Sequence, residues 1–254
     1  MGSPARIPFR GALTANPLNE PDLITHFYKN DGNDPLIGLM DIPCAEILDV
    51  GCGAGDNAAL LSARFPGSKV DGITHSRAEA DHAIAHMRDC WVFDIESEWP
   101  SALKSRKYDA LVFSHVLEHL REPAAIVAAY CSLLRETGIV LIAVPNILSW
   151  RMRLRFLRGD FTYEETGPLD STHLRFFTFD SSDRFLLART GNLRLESKIA
   201  HGSFPLWWAR RYLLPEPICA SIDRWACRHW PNLFADQVLL RAAMCNLTTD
   251  SDAR

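Results

Sequence analysis

The run AEILDVGCGAGDNAALLSARF, residues 45–65, limits the fold more than any other stretch. AEILDV (45–50) is a compact apolar strand that ends in a glycine loop, GCGAGD. The helix NAALLSARF follows, with Leu60, Leu61 and Phe65 at helical spacing. The same alternation continues downstream. KVDGIT (69–74), CWVFD (90–94), YDALVFS (108–114) and GIVLIAVP (138–145) read as strands. Between them SRAEADHAIAHM reads as a helix opened by Ser76, and PAAIVAAYCSLLRETG as a helix with proline in its first turn and glycine at its end. Strands alternating with helices predict a doubly wound α/β fold, a parallel sheet with helices on both faces.

Regularity breaks after Pro145. The arginine-rich segment 146–178 precedes a helix near 180–190 and a strand around LRLESKI. An aromatic segment, 203–234, then leads to a last strand, ADQVLLRAA. Residues 22–40 read as one or two short helices broken near 30–35. With no internal repeat and no linker, the expectation is one domain over 22–246 with insertions at 146–178 and 203–234. A flexible segment at 1–21 and a disordered tail at 247–254 flank it. At 254 residues and 47% apolar, such a domain can bury a substantial core.

Ligands of a doubly wound sheet sit outside the carboxyl ends of its strands. GCGAGD, Thr74, Asp94, HVLEHL (115–120) and the post-145 segment all fall at that edge. Gly51, Gly53 and Gly55 allow tight turning and close approach of a ligand to the backbone. Their spacing is G-x-G-x-G, with Asp56 where a dinucleotide loop carries its third glycine, which speaks against a nicotinamide-dependent dehydrogenase.

ILDVGCGAG, with VFDIE, YDALVFSHVLEHL and TGIVLIAVPN, resembles the class I S-adenosylmethionine-dependent methyltransferases over about residues 22–244. The later segment, PNILSWRMRLRFLRGDFTY with LDSTHLRFFTFD, is similar to a bacterial subgroup often associated with glycan or secondary-metabolite pathways. The resemblance implies a Rossmann-like seven-stranded sheet with its last strand reversed. It also implies a cofactor site: Asp49, Gly51, Gly53 and Gly55 at the methionine end, Asp94 at the adenine amino group, and Ile95 packing beside it. Tyr28, His75 and Ser114 complete the implied cofactor contacts. Where the family places an acid on the ribose, this chain has Thr74, a neutral and weaker partner. Asp71 lies too early in its strand to substitute, and Glu79 could reach back only from the next helix.

HVLEHL also matches H-x-x-E-H, the pattern of an inverted zinc-protease helix, but protease chemistry would leave the glycine loop unexplained. Three readings stay open. His115 and His119 are packing neighbours of the cofactor, or one of them is a general base, or His115, Glu118 and His119 hold a divalent metal. Ubiquinone-type O-methyltransferases carry a similar acidic-x-x-Glu-His that holds a metal; here His115 replaces the first acid. His173 is a further base candidate.

On the acceptor side stand Tyr28, Trp150, Arg151, Arg155, Asp170 and His173. The arginines of WRMRLRFLR either clamp a carboxylate or phosphate or form a solvated face, on a helix or on a strand. Trp207, Trp208, Tyr212, Trp225 and Trp230 suit a lid over the substrate better than a membrane-surface segment or a dimer contact; His26, Phe27 and Tyr28 would close the pocket from the other side. No N-P-P-Y signature is present, and the net charge is −4, so nucleic acid is not an expected partner. No run is apolar enough to span a bilayer, no signal peptide opens the chain, and seven cysteines without a C-x-x-C suit a reducing cytoplasm. The expectation is methyl transfer from S-adenosylmethionine, leaving S-adenosylhomocysteine, to a small acceptor that is anionic and partly apolar. A hydroxyl or carboxyl oxygen fits better than nitrogen, in a biosynthetic enzyme that is a monomer or homodimer. The alternatives are a small-molecule N-methyltransferase and a catalytically silent cofactor-binding subunit.

Overall fold

The computed structural model describes residues 31–205, 210 and 212–245. Its centre is one seven-stranded sheet of order β3-β2-β1-β4-β5-β7-β6. The strands are β1 (Glu46–Val50), β2 (Lys69–Thr74), β3 (Asp89–Val92), β4 (Tyr108–Ser114), β5 (Leu134–Pro145), β6 (Leu193–Gly202) and β7 (Ala235–Met244). The first five run parallel, while β7 is antiparallel to both β5 and β6. This is the doubly wound α/β sheet with its last strand reversed.

Successive residues of a strand face opposite sides of a sheet, so a strand covered on both sides is apolar throughout. Leu48, Leu111, Phe113, Val140 and Ile142 pack into one core layer, and their neighbours Ile47, Ala110, Val112, Ile139 and Leu141 into the other. The edge strand β6 is only half-buried along its length. The helices are α1 (Asp34–Ile37), α2 (Asp56–Arg64), α3 (Arg77–Ala83), α4 (Ser101–Lys104), α5 (Pro123–Tyr130), α6 (Trp150–Leu157), α7 (Phe179–Leu186), α8 (Glu216–His229) and α9 (Pro231–Phe234).

The buried Asp71 is spent inside the sheet. Arg88 donates to it at 2.9 and 2.5 Å, Arg106 at 2.7 Å and Tyr108 at 2.8 Å. Burial raises its pKa, but these donors more than reverse that and hold the carboxyl below its usual range.

Three local expectations shift. The break near 30–35 is a helix start: the Asn33 side chain caps α1 by accepting from Leu36 N at 3.2 Å, with proline in the first turn. The helix expected to run to Gly138 stops at Tyr130 and passes through a 3-10 turn, Cys131–Leu133. β5 then begins at Leu134, where burial of Leu133 and Leu134 outweighs the helical look of RETG. Its register jumps, Leu134 opposite Tyr108 and Ile139 opposite Ala110. β3 ends at Val92, which leaves Asp94 in the turn that follows.

Of the expected insertions, 146–178 contributes α6 and an irregular loop tied by bridges Asn146–Phe177 and Glu164–Asp170. WRMRLRFL is thus helical. The 203–234 segment contributes α8 and α9, whose Ala226, Cys227 and Phe234 pack with Trp150 and Phe204. Tyr28, His26, Phe27, Trp207 and Trp208 lie outside the described residues.

Candidate active site

Gly51, Gly53 and Gly55 all take positive φ, at 79°, 52° and 89°. A Cβ on Gly51 would lie 2.5 Å from Val116 Cγ2, and one on Gly55 2.8 Å from Ala83 Cα. Both the backbone angle and the space demand glycine. At the root of this loop Asp49 is fully buried, and neither of its carboxylate oxygens has a hydrogen-bond partner. Burial pushes its pKa up to about 7, with Asn57 pulling it down and Asp56 adding to the rise. An unpartnered buried carboxylate beside a glycine cradle fits a ligand that brings a cationic group, as the amino group of S-adenosylmethionine would.

Thr74 at the end of β2 is buried, and its Oγ1 donates to Glu79 Oε2 at 2.6 Å. Glu79 is itself 2% exposed. A buried carboxylate, borne one turn into α3, whose N-cap is Ser76, thus lies against the end of β2. Asp94 is exposed and accepts from Glu96 N at 2.9 Å, Ile95 is buried in the core, and His75 is exposed.

Beside the glycine loop opens a cavity of about 330 Å³, lined among others by Asn33, Gly51, Ser114, His115, His201 and Gln237. Asn33 Nδ2 donates to Gln237 Oε1 at 2.9 Å and to Ser114 Oγ at 3.4 Å. His115 Nε2 meets the same Gln237 Oε1 at 2.9 Å, while its Nδ1 lies 3.4 Å from Glu118 Oε1. His115 is the one non-glycine residue with positive φ among the described residues, at 52°. Its surroundings act in both directions. Burial lowers its pKa, the hydrogen bond and charge of Glu118 and the Gln237 bond raise it, and the net effect is a rise.

That backbone reversal at His115 removes the helical face on which H-x-x-E-H depends. Only Leu117–His119 form a turn, and it is 3-10. His115 faces Gln237, whereas His119 Nδ1 meets Thr172 Oγ1 at 2.9 Å. Thr172 Oγ1 donates to the buried Asp170 at 2.6 Å. Leu174 N and Arg175 N both donate to Glu118 O, at 2.8 and 3.0 Å, and so bind the 170s loop to the turn. His173 thereby packs on His119, ring centroids 4.7 Å apart. His119 is held below its usual pKa by burial, against the charge of Glu118.

Among the acceptor-side candidates, Asp170 and His173 sit in the loop beside His119, and Arg155 reaches that loop through Glu164, which bridges Asp170. Arg155 is paired to Asp160 at 3.0 Å and Glu164 at 2.9 Å. Arg151 bonds Asp236 at 3.2 Å and lies over the Trp150 ring. Both guanidinium groups are thus engaged with the chain's own groups. Asn33, His201 and Gln237 were missed by sequence reasoning. Gln237 alone left a signal, a polar amide beside Asp236 at the start of the strand ADQVLLRAA.

A family model described as a methyltransferase domain matches residues 20–189. Trans-aconitate 2-methyltransferase from Escherichia coli is 24% identical over 151 residues, 58% of each chain. The chain thus spans about three fifths of the length of the known relatives it matches. Among solved structures, an S-adenosylmethionine-dependent methyltransferase from Archaeoglobus fulgidus superimposes with a TM-score of 0.53 at 18% identity, covering 79% of this chain and 86% of that one. The plantazolicin methyltransferase, solved with a monoazolic desmethyl analogue and S-adenosylhomocysteine, gives 0.52 at 15% identity over 84% and 80%. These structural likenesses concern the fold.

Proposed function

The chain belongs to the methyltransferase-domain family, of the class I S-adenosylmethionine-dependent type, and on that premise we propose that it methylates an oxygen of a small carboxylic acid. The observation that carries this reading is the cavity of about 330 Å³ where the glycine loop meets Asn33, Ser114, His115 and Gln237. Its volume suits a small molecule, and its lining sets the donors of Asn33, Ser114, His115 and Gln237 on the strand-end side and the Asp56 carboxylate beside the glycine loop.

S-adenosylmethionine supplies an electrophilic methyl group: the acceptor oxygen bonds to the methyl carbon as the carbon–sulfur bond breaks and its electron pair stays on sulfur. The protein's part is to align the oxygen and exclude water. A carboxylate arrives deprotonated at neutral pH and needs no base. The hydrogen bond and charge of Glu118 and the Gln237 bond favour the protonated form of the His115 imidazole, which suits attracting a carboxylate better than taking a hydroxyl proton. That trans-aconitate 2-methyltransferase is a relative also favours an acid as acceptor.

Asp49 and Glu79 support cofactor binding, at the amino and ribose ends respectively. Seven unpaired thiols support a reducing cytoplasm as the setting. Calorimetric titration with S-adenosylmethionine, S-adenosylhomocysteine and NAD tests the premise; the first two should bind and NAD should not. A panel of small di- and tricarboxylic acids, with hydroxylated and amino compounds as comparison, tests the acceptor class. Turnover confined to amines would overturn the proposal.

A further inference from the structure

We propose that Cys52 and Cys90 are a dithiol site that small disulfides oxidise to a Cys52–Cys90 bond, and that this bond closes the cofactor site reversibly. Their Sγ atoms lie 3.8 Å apart. Among the described residues, which include all seven cysteines, no other two thiols come within hydrogen-bond distance. The pair is assembled across β2. Cys52 follows β1 in the glycine loop and donates its backbone N–H to Ile73 O at 2.8 Å. Cys90 lies on β3, opposite Gly72 in the register. Adjacent residues of the intervening strand thus hold the two cysteines from either side. Gly72 supplies the room, since a Cβ there would lie 2.7 Å from Cys52 Sγ.

The two thiols differ in access and in acidity. Cys52 is 6% exposed, whereas Cys90 is half-buried, so Cys90 is the one a reagent meets first. The hydrogen bond between the thiols, together with burial, pushes the Cys52 thiol up. The same bond, against burial, holds Cys90 below its usual value and favours the nucleophilic thiolate there. That thiolate attacks one sulfur of a small disulfide such as oxidised glutathione, forming a mixed disulfide and expelling one glutathione thiolate. Cys52 then loses its proton, attacks Cys90 Sγ and expels the second. The two cysteines give up two protons and two electrons, and the small disulfide becomes two thiols.

Closing 3.8 Å to about 2.05 Å draws Cys52 toward β3. The loop around it has no slack to follow, because Gly51 packs on Val116 and Gly55 on Ala83 with no space for a Cβ at either. The cradle above Asp49 therefore loses its shape. This consequence rests on the cofactor reading and is independent of the acceptor. Coupling of this kind is reciprocal, so bound cofactor protects the dithiol by the same factor. In a reducing cell the dithiol is the resting form, and the bond forms only when the thiol pool is oxidised.

The full chain, equilibrated with oxidised glutathione and digested, should yield the Cys52 and Cys90 peptides joined to each other, with no glutathione retained. Calorimetric titration with S-adenosylhomocysteine should then show affinity lower by roughly 5–150-fold, restored by dithiothreitol. Cys90→Ser should keep the affinity of the reduced chain and lose the response to oxidant, while Cys245→Ser should respond as the unaltered chain does. If Cys90→Ser does not fold, the peptide map and the reversal by dithiothreitol decide. Unlinked peptides, a link between other cysteines, or an oxidised chain that binds as tightly as the reduced one would overturn the proposal. A chain that forms the bond yet never binds S-adenosylhomocysteine when reduced would overturn the cofactor reading and leave the dithiol site standing.

Discussion

At the residue scale the site is built on carboxylates that the fold leaves unsatisfied. Asp49 has its folded pKa raised from 3.8 to about 7. A group raised in this way stabilises the fold below its unfolded pKa and loses that contribution as pH rises through the folded value. The protein without cofactor should therefore lose stability between about pH 4 and pH 7. S-adenosylmethionine should flatten that slope, because its amino group favours the charged carboxylate. Asp49→Asn should remove the slope and weaken cofactor binding by about 1.5–3 kcal/mol, a factor of roughly 10–100. Melting curves across this range, with and without cofactor, would measure both. A slope that survives Asp49→Asn would assign the effect elsewhere. His115 shifts in the same direction: its raised pKa keeps the proton to higher pH, so turnover of an acid should fall as pH rises beyond the usual imidazole range.

At the element scale the strand ends place the site, and the ion network around Asp71 ties β2 to the segments that lead into β3 and β4. Asp71→Asn should cost about 3–5 kcal/mol, since Arg88 and Arg106 would lose their buried partner. Chemical denaturation at neutral pH would read that loss; a change under 1 kcal/mol, roughly the worth of an exposed pair, would make the network a surface feature. The elements themselves were largely legible. The central strands announce themselves because burial on both faces makes them continuously apolar, and the glycine triplet marks the turn after β1. The end of α5 was not legible, because RETG looks like a helix terminus while long-range burial of Leu134 against Tyr108 decides otherwise. The reach of Glu79 back from the next helix was legible; its bond to Thr74 was not, and α3 sets it.

At the scale of the whole molecule, the antiparallel β7 brings Gln237 back to the edge where β4 ends. It lies 204 residues from Asn33, whose amide bonds it. The Thr172–His119 contact likewise spans 53 residues, through a loop with no periodicity to read. This is why the glycine loop and the strand ends could be foreseen from local motifs and the lining contributed by Asn33, His201 and Gln237 could not. Motifs carry contacts within a turn or two, whereas the cavity is assembled by topology. The central claim is that this cavity presents a carboxylate to the methyl group, and the product's chemistry tests it most directly. Transfer of a labelled methyl group to a small polycarboxylic acid should give a product that mild base hydrolyses to labelled methanol, as an ester does. A base-stable methyl ether or methylamine from the same acceptor panel would contradict it.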